Sequence, residues 1–137
     1  MGRYRTYNWG PLLFQTKLDQ PFCDELLRRG KLATEPRNKK LAGNIDKEFG
    51  YTENDMSWFT ENTGAVFKAY TDHWLKHFAT TNRFHPKIQA GKLKSVVSMT
   101  SLWINTQVAG EFNPPHKHGG DISFVIYLKV PKEIVEE

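Results

Sequence analysis

The chain has 137 residues, 39% hydrophobic and 13% aromatic, which suffices for the core of one domain and excludes a disordered chain. Nineteen lysines and arginines against fifteen aspartates and glutamates leave a formal charge of +4. These cations are dispersed and lack an accompanying stacking-aromatic motif, which argues against a nucleic-acid partner, and no run of about 18 apolar residues argues for a membrane span.

Met1 to Tyr7 has no apolar signal core, and the single cysteine, Cys23, has no partner for a disulfide within the chain. We therefore expect a cytoplasmic protein. Pro11 to Leu18 reads as a short strand, after which Asp19-Gln20-Pro21 supplies a helix cap with proline in the first turn. The helix that follows carries Phe22, Leu26 and Leu27 on one face, places Cys23 where that face is buried, and is expected to stop at Gly30. Residues 31–55 are polar and irregular in pattern; Arg37-Asn38-Lys39-Lys40 reads as a solvated loop, and Leu41 to Ile45 as an apolar island anchored on the core.

From Met56 to Ala79, Trp58, Val66, Phe67, Tyr70, Trp74 and Phe78 form a helical stripe, predicting the longest helix. His73 and His77 lie four apart on it, but Trp74 stands where a zinc-protease helix carries glutamate, so we read them as half-exposed helix histidines. Beyond Pro86 the pattern turns to β, with strands expected at Lys94 to Val97, Ser98 to Val108 and Ile122 to Val130. In the last of these Ile122, Phe124, Ile126 and Leu128 share one face, while Gly110, Gly119-Gly120 and Pro131 punctuate the segment. The expectation is a single α+β domain over residues 1–137, helices first and sheet last.

The chemistry concentrates in Asn113-Pro114-Pro115-His116-Lys117-His118-Gly119-Gly120-Asp121. In extended backbone alternate side chains share a face, so His116 and His118 point the same way and can reach one metal ion. No histidine follows His118, so a third ligand has to come from upstream, from a carboxylate such as Asp121, from water or from another chain.

Three pieces taken in order, Trp103-Ile104-Asn105, Gly110 to His118 and Ser123 to Leu128, resemble the Fe(II)/2-oxoglutarate-dependent oxygenases, in particular the phage-encoded and marine bacterial prolyl-hydroxylase-like group. Leu41 to Ile45 is similar to a segment that precedes the barrel in those proteins. The resemblance implies an incomplete double-stranded β-helix (a jelly-roll, cupin-like fold) behind supporting helices. It implies His116 as the first iron ligand and His118 where many members carry an aspartate or glutamate, a departure that changes the charge around the ion. It also implies Tyr127 and Asn105 beside the 2-oxoglutarate cosubstrate. The family's distal histidine and the arginine that pairs with the far carboxylate of 2-oxoglutarate have no counterpart in these residues.

The expectation is thus an oxygenase of the hydroxylase type acting on a small-molecule or protein substrate, truncated and inactive alone, using Fe(II) and 2-oxoglutarate. A rival from another class is a non-catalytic binding or assembly module on this fold, completed by a partner chain or by homodimerisation, since an open half-barrel exposes strand edges.

Overall fold

The computed structural model describes residues 4–8, 12–39, 42–81 and 96–135. Its elements are β1 (Tyr4–Asn8), β2 (Leu12–Thr16), α1 (Gln20–Leu32), β3 (Glu35–Pro36), β4 (Lys47–Gly50), α2 (Glu53–Thr81), β5 (Trp103–Thr106) and α3 (Lys132–Val135). The fold is α+β with two small antiparallel sheets, ordered β1-β2 and β3-β4-β5, and among the described residues no barrel closes. The chain separates into two compact units, Met1–Leu18 with Ser57–Met99, and Asp19–Met56 with Thr100–Glu137.

In the first unit β1 and β2 pair from Tyr4↔Thr16 to Asn8↔Leu12. The alternation places Tyr4 and Phe14 on one face, where their rings stack at 4.9 Å. That face meets α2 edge-on, Phe14 against Tyr70 at 5.8 Å and Tyr4 against His73 at 6.0 Å. His73 therefore belongs to an aromatic contact. Phe59, the most buried large side chain among the described residues, lies 6.2 Å from Phe67 two turns along the same helix.

The second unit is organised by α1 and the three-stranded sheet. Asp19 caps α1 as the sequence predicts, its Oδ1 accepting from the Phe22 amide at 3.0 Å, with Pro21 in the first turn. The helix does not stop at Gly30. It continues to Leu32, because Gly30 serves packing: a Cβ there would stand 2.5 Å from both Tyr51 Oη and Ile104 Cδ1. Tyr51 is buried in this contact and donates to the Leu26 carbonyl at 2.9 Å, and burial pushes its phenol up to about 12. Arg29 of α1 binds Asp55 in the first turn of α2 at 2.8 Å. Thr52 and Asp55 cap that helix reciprocally, Thr52 Oγ1 accepting from the Asp55 amide and Asp55 Oδ2 from the Thr52 amide, each at 3.2 Å.

Three expectations are corrected here. Residues 31–55, expected irregular, hold β3 and β4. Glu48-Phe49-Gly50-Tyr51 alternates polar or small with aromatic residues, which is the two-residue period of a strand. Arg37 is not part of a solvated loop: its guanidinium lies over Gly50, where a Cβ would meet Nε at 2.7 Å, while Lys39 is exposed as expected. The third correction is the β-rich second half, where the described residues form a strand only at Trp103–Thr106. Residues 122–130 form no ladder, although Ile122, Ile126 and Leu128 are partly covered and Val125 and Tyr127 are 75% and 80% exposed. Alternation selects which side chains turn inward; a ladder also needs a neighbouring strand, and the described residues offer none there. Lys94, Ser95 and Leu41 lie outside the described residues.

Gly30→Ala forces the Tyr51 and Ile104 side chains apart, and we expect it to destabilise the chain by about 1–3 kcal/mol in urea unfolding. Tyr51→Phe removes one buried hydrogen bond and should cost about 1 kcal/mol, with unchanged far-ultraviolet dichroism.

Candidate metal centre

Register divides the chemistry of the sheet between its faces. β4 pairs with β5 as Lys47↔Thr106, Glu48↔Asn105, Phe49↔Ile104 and Gly50↔Trp103. Phe49 and Ile104 thus share the face turned to α1, and Glu48, Asn105 and Trp103 share the opposite one. Arg37 joins that second face over Gly50, its Nη2 3.6 Å from Glu35 and its Nε buried without a hydrogen-bond partner among the described residues.

The histidine segment is tied down beside this face by its own backbone chemistry. Asn44 bridges to Phe112, its amide donating to the Phe112 carbonyl at 2.9 Å. Gly43 at φ +119° permits this close approach, since a Cβ there would collide with the Asn113 side chain. Glu111 clamps the turn at Gly110, its two oxygens accepting from the Asp46 amide at 2.9 Å and the Val108 amide at 2.8 Å. These backbone donors hold the Glu111 carboxyl below the usual carboxylate range.

His116 and His118 come together as the spacing predicts, with ring centroids 4.5 Å apart and planes inclined at 62°. His118 also stacks on Trp103 at 6.1 Å and 26°. The Nδ1 of His116 lies 2.7 Å from the Pro114 carbonyl. A carbonyl only accepts, so Nδ1 is the donor in this contact, and in the neutral ring with that tautomer the metal-ligating lone pair is on Nε2. A hydrogen bond from the far ring nitrogen is the arrangement that orients metal-binding histidines. Two imidazoles close together are donor types that transition-metal ions take.

Both rings line an open cleft of about 470 Å³ together with Trp103, Thr100, Ser101 and Ala42. That volume lies within the range of small-molecule sites. Asp121, weighed as a further ligand, is exposed, and among the described residues no three His, Cys, Asp or Glu side chains already converge on a single ion position. Of the two residues expected beside a cosubstrate, Asn105 lies on the Trp103 face, bonded to Glu48, and Tyr127 is 80% exposed; neither is among the described residues lining the cleft.

The residue that sequence reasoning passed over is Glu48. It is buried to 3% exposure on the same face as Trp103. Burial raises its carboxyl, opposed by the Asn105 hydrogen bond; the nearby Glu111 charge raises it further and the field of His116 lowers it. The available signal was the alternation of Glu48 to Tyr51, which inserts one carboxylate into a strand that otherwise buries aromatic and small residues.

Compared with protein-family models, curated proteins and solved structures, the chain matches none. No helix among the described residues is long and apolar enough to cross a membrane.

A carboxyl raised by folding contributes stability that is complete below its unfolded value of 4.5 and declines as pH rises through the folded-state value. Urea midpoints measured from pH 4 upward should therefore fall less steeply for Glu48→Gln than for the parent chain. Equal slopes would contradict a raised Glu48.

Proposed function

We propose that the chain supplies part of the iron site of an Fe(II)- and 2-oxoglutarate-dependent oxygenase of the hydroxylase type, on an incomplete double-stranded β-helix. The observation that carries this reading is the His116–His118 pair, with rings 4.5 Å apart and the His116 Nδ1–H held by the Pro114 carbonyl, beside an open cleft. Fe(II) with 2-oxoglutarate would supply the activation of dioxygen for hydroxylation of a small-molecule or protein substrate.

The chain's own part is placement. Pro114 orients one imidazole and Trp103 backs the other, so the two donors approach from one side and leave the cleft side for cosubstrate and substrate. Trp103 also gives the cleft an apolar wall that limits water. The family resemblance assigns Asn105 and Tyr127 to hydrogen bonding with the carboxylates of 2-oxoglutarate; neither is among the described residues lining the cleft, so that role needs both to approach it from outside. The arginine partner for its far carboxylate would come from further polypeptide.

A second reading rests on a separate observation. Residues 122–130 keep a strand's alternation but form no ladder, and Val125 and Tyr127 stand exposed. An assembly module completed by another chain, or by a second copy, would use that segment as its pairing strand.

Adding Fe(II) and then 2-oxoglutarate without oxygen should produce a weak visible charge-transfer band that His116→Ala and His118→Ala each abolish. A parent chain that binds Fe(II) yet gives no such band overturns the oxygenase reading. Sedimentation showing dimers that Tyr127→Lys dissociates would then support the assembly reading.

A further inference from the structure

We propose that Glu111 is a positioning residue for the histidine pair: its carboxylate locks the chain that carries His116 and His118 to the loop that supplies the Ala42 wall of the cleft, and ligand binding at the two imidazoles depends on that lock. The inference rests on the metal reading of the pair and extends it to a residue that does not itself line the cleft.

The lock starts from the core. Ile45 is only 3% exposed, which fixes the loop that carries it, and Ala42 in the same loop lines the cleft. The residues on either side of Ile45 are both held by the chain leading to the histidines. The Asn44 amide donates to the Phe112 carbonyl at 2.9 Å, and the Asp46 amide donates to Glu111 Oε1 at 2.9 Å. Glu111 Oε2 accepts from the Val108 amide at 2.8 Å, and the Glu111 amide donates back to the Val108 carbonyl at 3.1 Å. One side chain thereby joins the turn after β5 to the loop before β4, just beyond the Lys47↔Thr106 pair.

Position is passed on to the imidazoles through a stiff stretch of chain. Only Phe112, Asn113, Pro114 and Pro115 separate Glu111 from His116, and each proline fixes its own φ and restricts the residue before it. The Pro114 carbonyl in that stretch accepts from His116 Nδ1 at 2.7 Å. Both histidines are exposed, so burial does not hold them, and their aim comes from the backbone behind them and from Trp103.

The lock requires a carboxylate of this length. Two amide donors from different segments meet its two oxygens, and those donors keep it below the usual carboxylate range, ionised and accepting only. Glutamine has one oxygen, so its amide nitrogen would face an N–H group. Aspartate is one methylene short of the span.

The test compares Glu111→Gln with the parent chain and with Tyr51→Phe, which loses a buried hydrogen bond to α1 at a residue that does not line the cleft. In Co(II) titrations followed by visible absorption, Glu111→Gln should weaken binding by about tenfold, as loss of a group that orients a ligand does, while Tyr51→Phe should bind as the parent does. Nitrogen-15 spectra of the metal-free chains in alkaline buffer, where imidazole is neutral, should show His116 as the Nδ1–H tautomer in the parent and in Tyr51→Phe, and as a mixture of tautomers in Glu111→Gln. Parent-like Co(II) affinity in Glu111→Gln overturns the role of Glu111 and leaves the histidine pair standing. Equal weakening in both variants assigns the loss to stability alone and also overturns it. Failure of the parent chain to take up Co(II) overturns the metal reading and this proposal with it.

Amide hydrogen exchange of the parent chain decides the matter without a variant that has to fold. Coupling between the lock and the imidazoles is reciprocal, so Zn(II) at saturation should slow exchange of the Asp46 and Val108 amides several-fold. Exchange rates at both amides unmoved by bound Zn(II) overturn the proposal.

Discussion

The β4–β5 ladder is the constraint from which the rest of the candidate site follows. It brings Lys47–Gly50 beside Trp103–Thr106, two segments that are far apart in the chain, and sets them in one antiparallel register. Because side chains alternate strictly along a strand, this register sorts the residues without further instruction. Phe49 and Ile104 go to the side covered by α1, while Glu48, Asn105 and Trp103 go to the other. A slip of one position would put the carboxylate against Leu26 and Tyr51 and the aromatic ring of Phe49 on the histidine side. The close approach of Gly30 to Ile104 and Tyr51 opposes such a slip, since only this register presents side chains that its bare backbone accommodates.

The histidine segment depends on the same ladder indirectly. Its amino-terminal flank is fastened to the start of β4 by Glu111 and to Asn44 by the Phe112 bridge. The first is a backbone hydrogen bond accepted by an ionised carboxylate, among the stronger polar contacts, and the second an ordinary amide-to-carbonyl bond. The imidazoles are then aimed by two contacts of different kinds, a hydrogen bond from His116 to Pro114 and a stack of His118 on Trp103. The first sets the tautomer and the second sets the ring plane. This exposed rim with its two oriented imidazoles is the basis of the proposed metal site.

Electrostatics in this unit follow burial and partnership rather than the net charge of +4. Glu25, half-buried and held by Arg28 and Arg29, has its carboxyl lowered to about 2, while Glu48, buried and hydrogen-bonded to the neutral Asn105, has its carboxyl raised. Two glutamates of one compact unit are thus driven in opposite directions. The first pattern is ordinary surface ion pairing; the second resembles what functional carboxylates show.

Local signals were legible in the amino-acid sequence wherever neighbours in the chain decide the outcome. The Asp19 cap with Pro21, the helix through Trp58 and Tyr70, the turns at Gly110 and Gly119-Gly120, and the shared direction of His116 and His118 all depend on residues a few positions apart. Thr52 and Asp55 carried a cap signal of the same local kind, and the alternation of Glu48 to Tyr51 a strand signal, though neither is strong beside a polar stretch. Tertiary structure decided the rest. Only pairing across the chain could make Trp103–Thr106 a strand and leave 122–130 without a ladder, because periodicity specifies a face and not a partner. Only packing could turn Gly30 from a helix stop into a contact point, lay Arg37 over Gly50, and bury Glu48 on the Trp103 face, since burial is a property of what comes to lie above a residue in space.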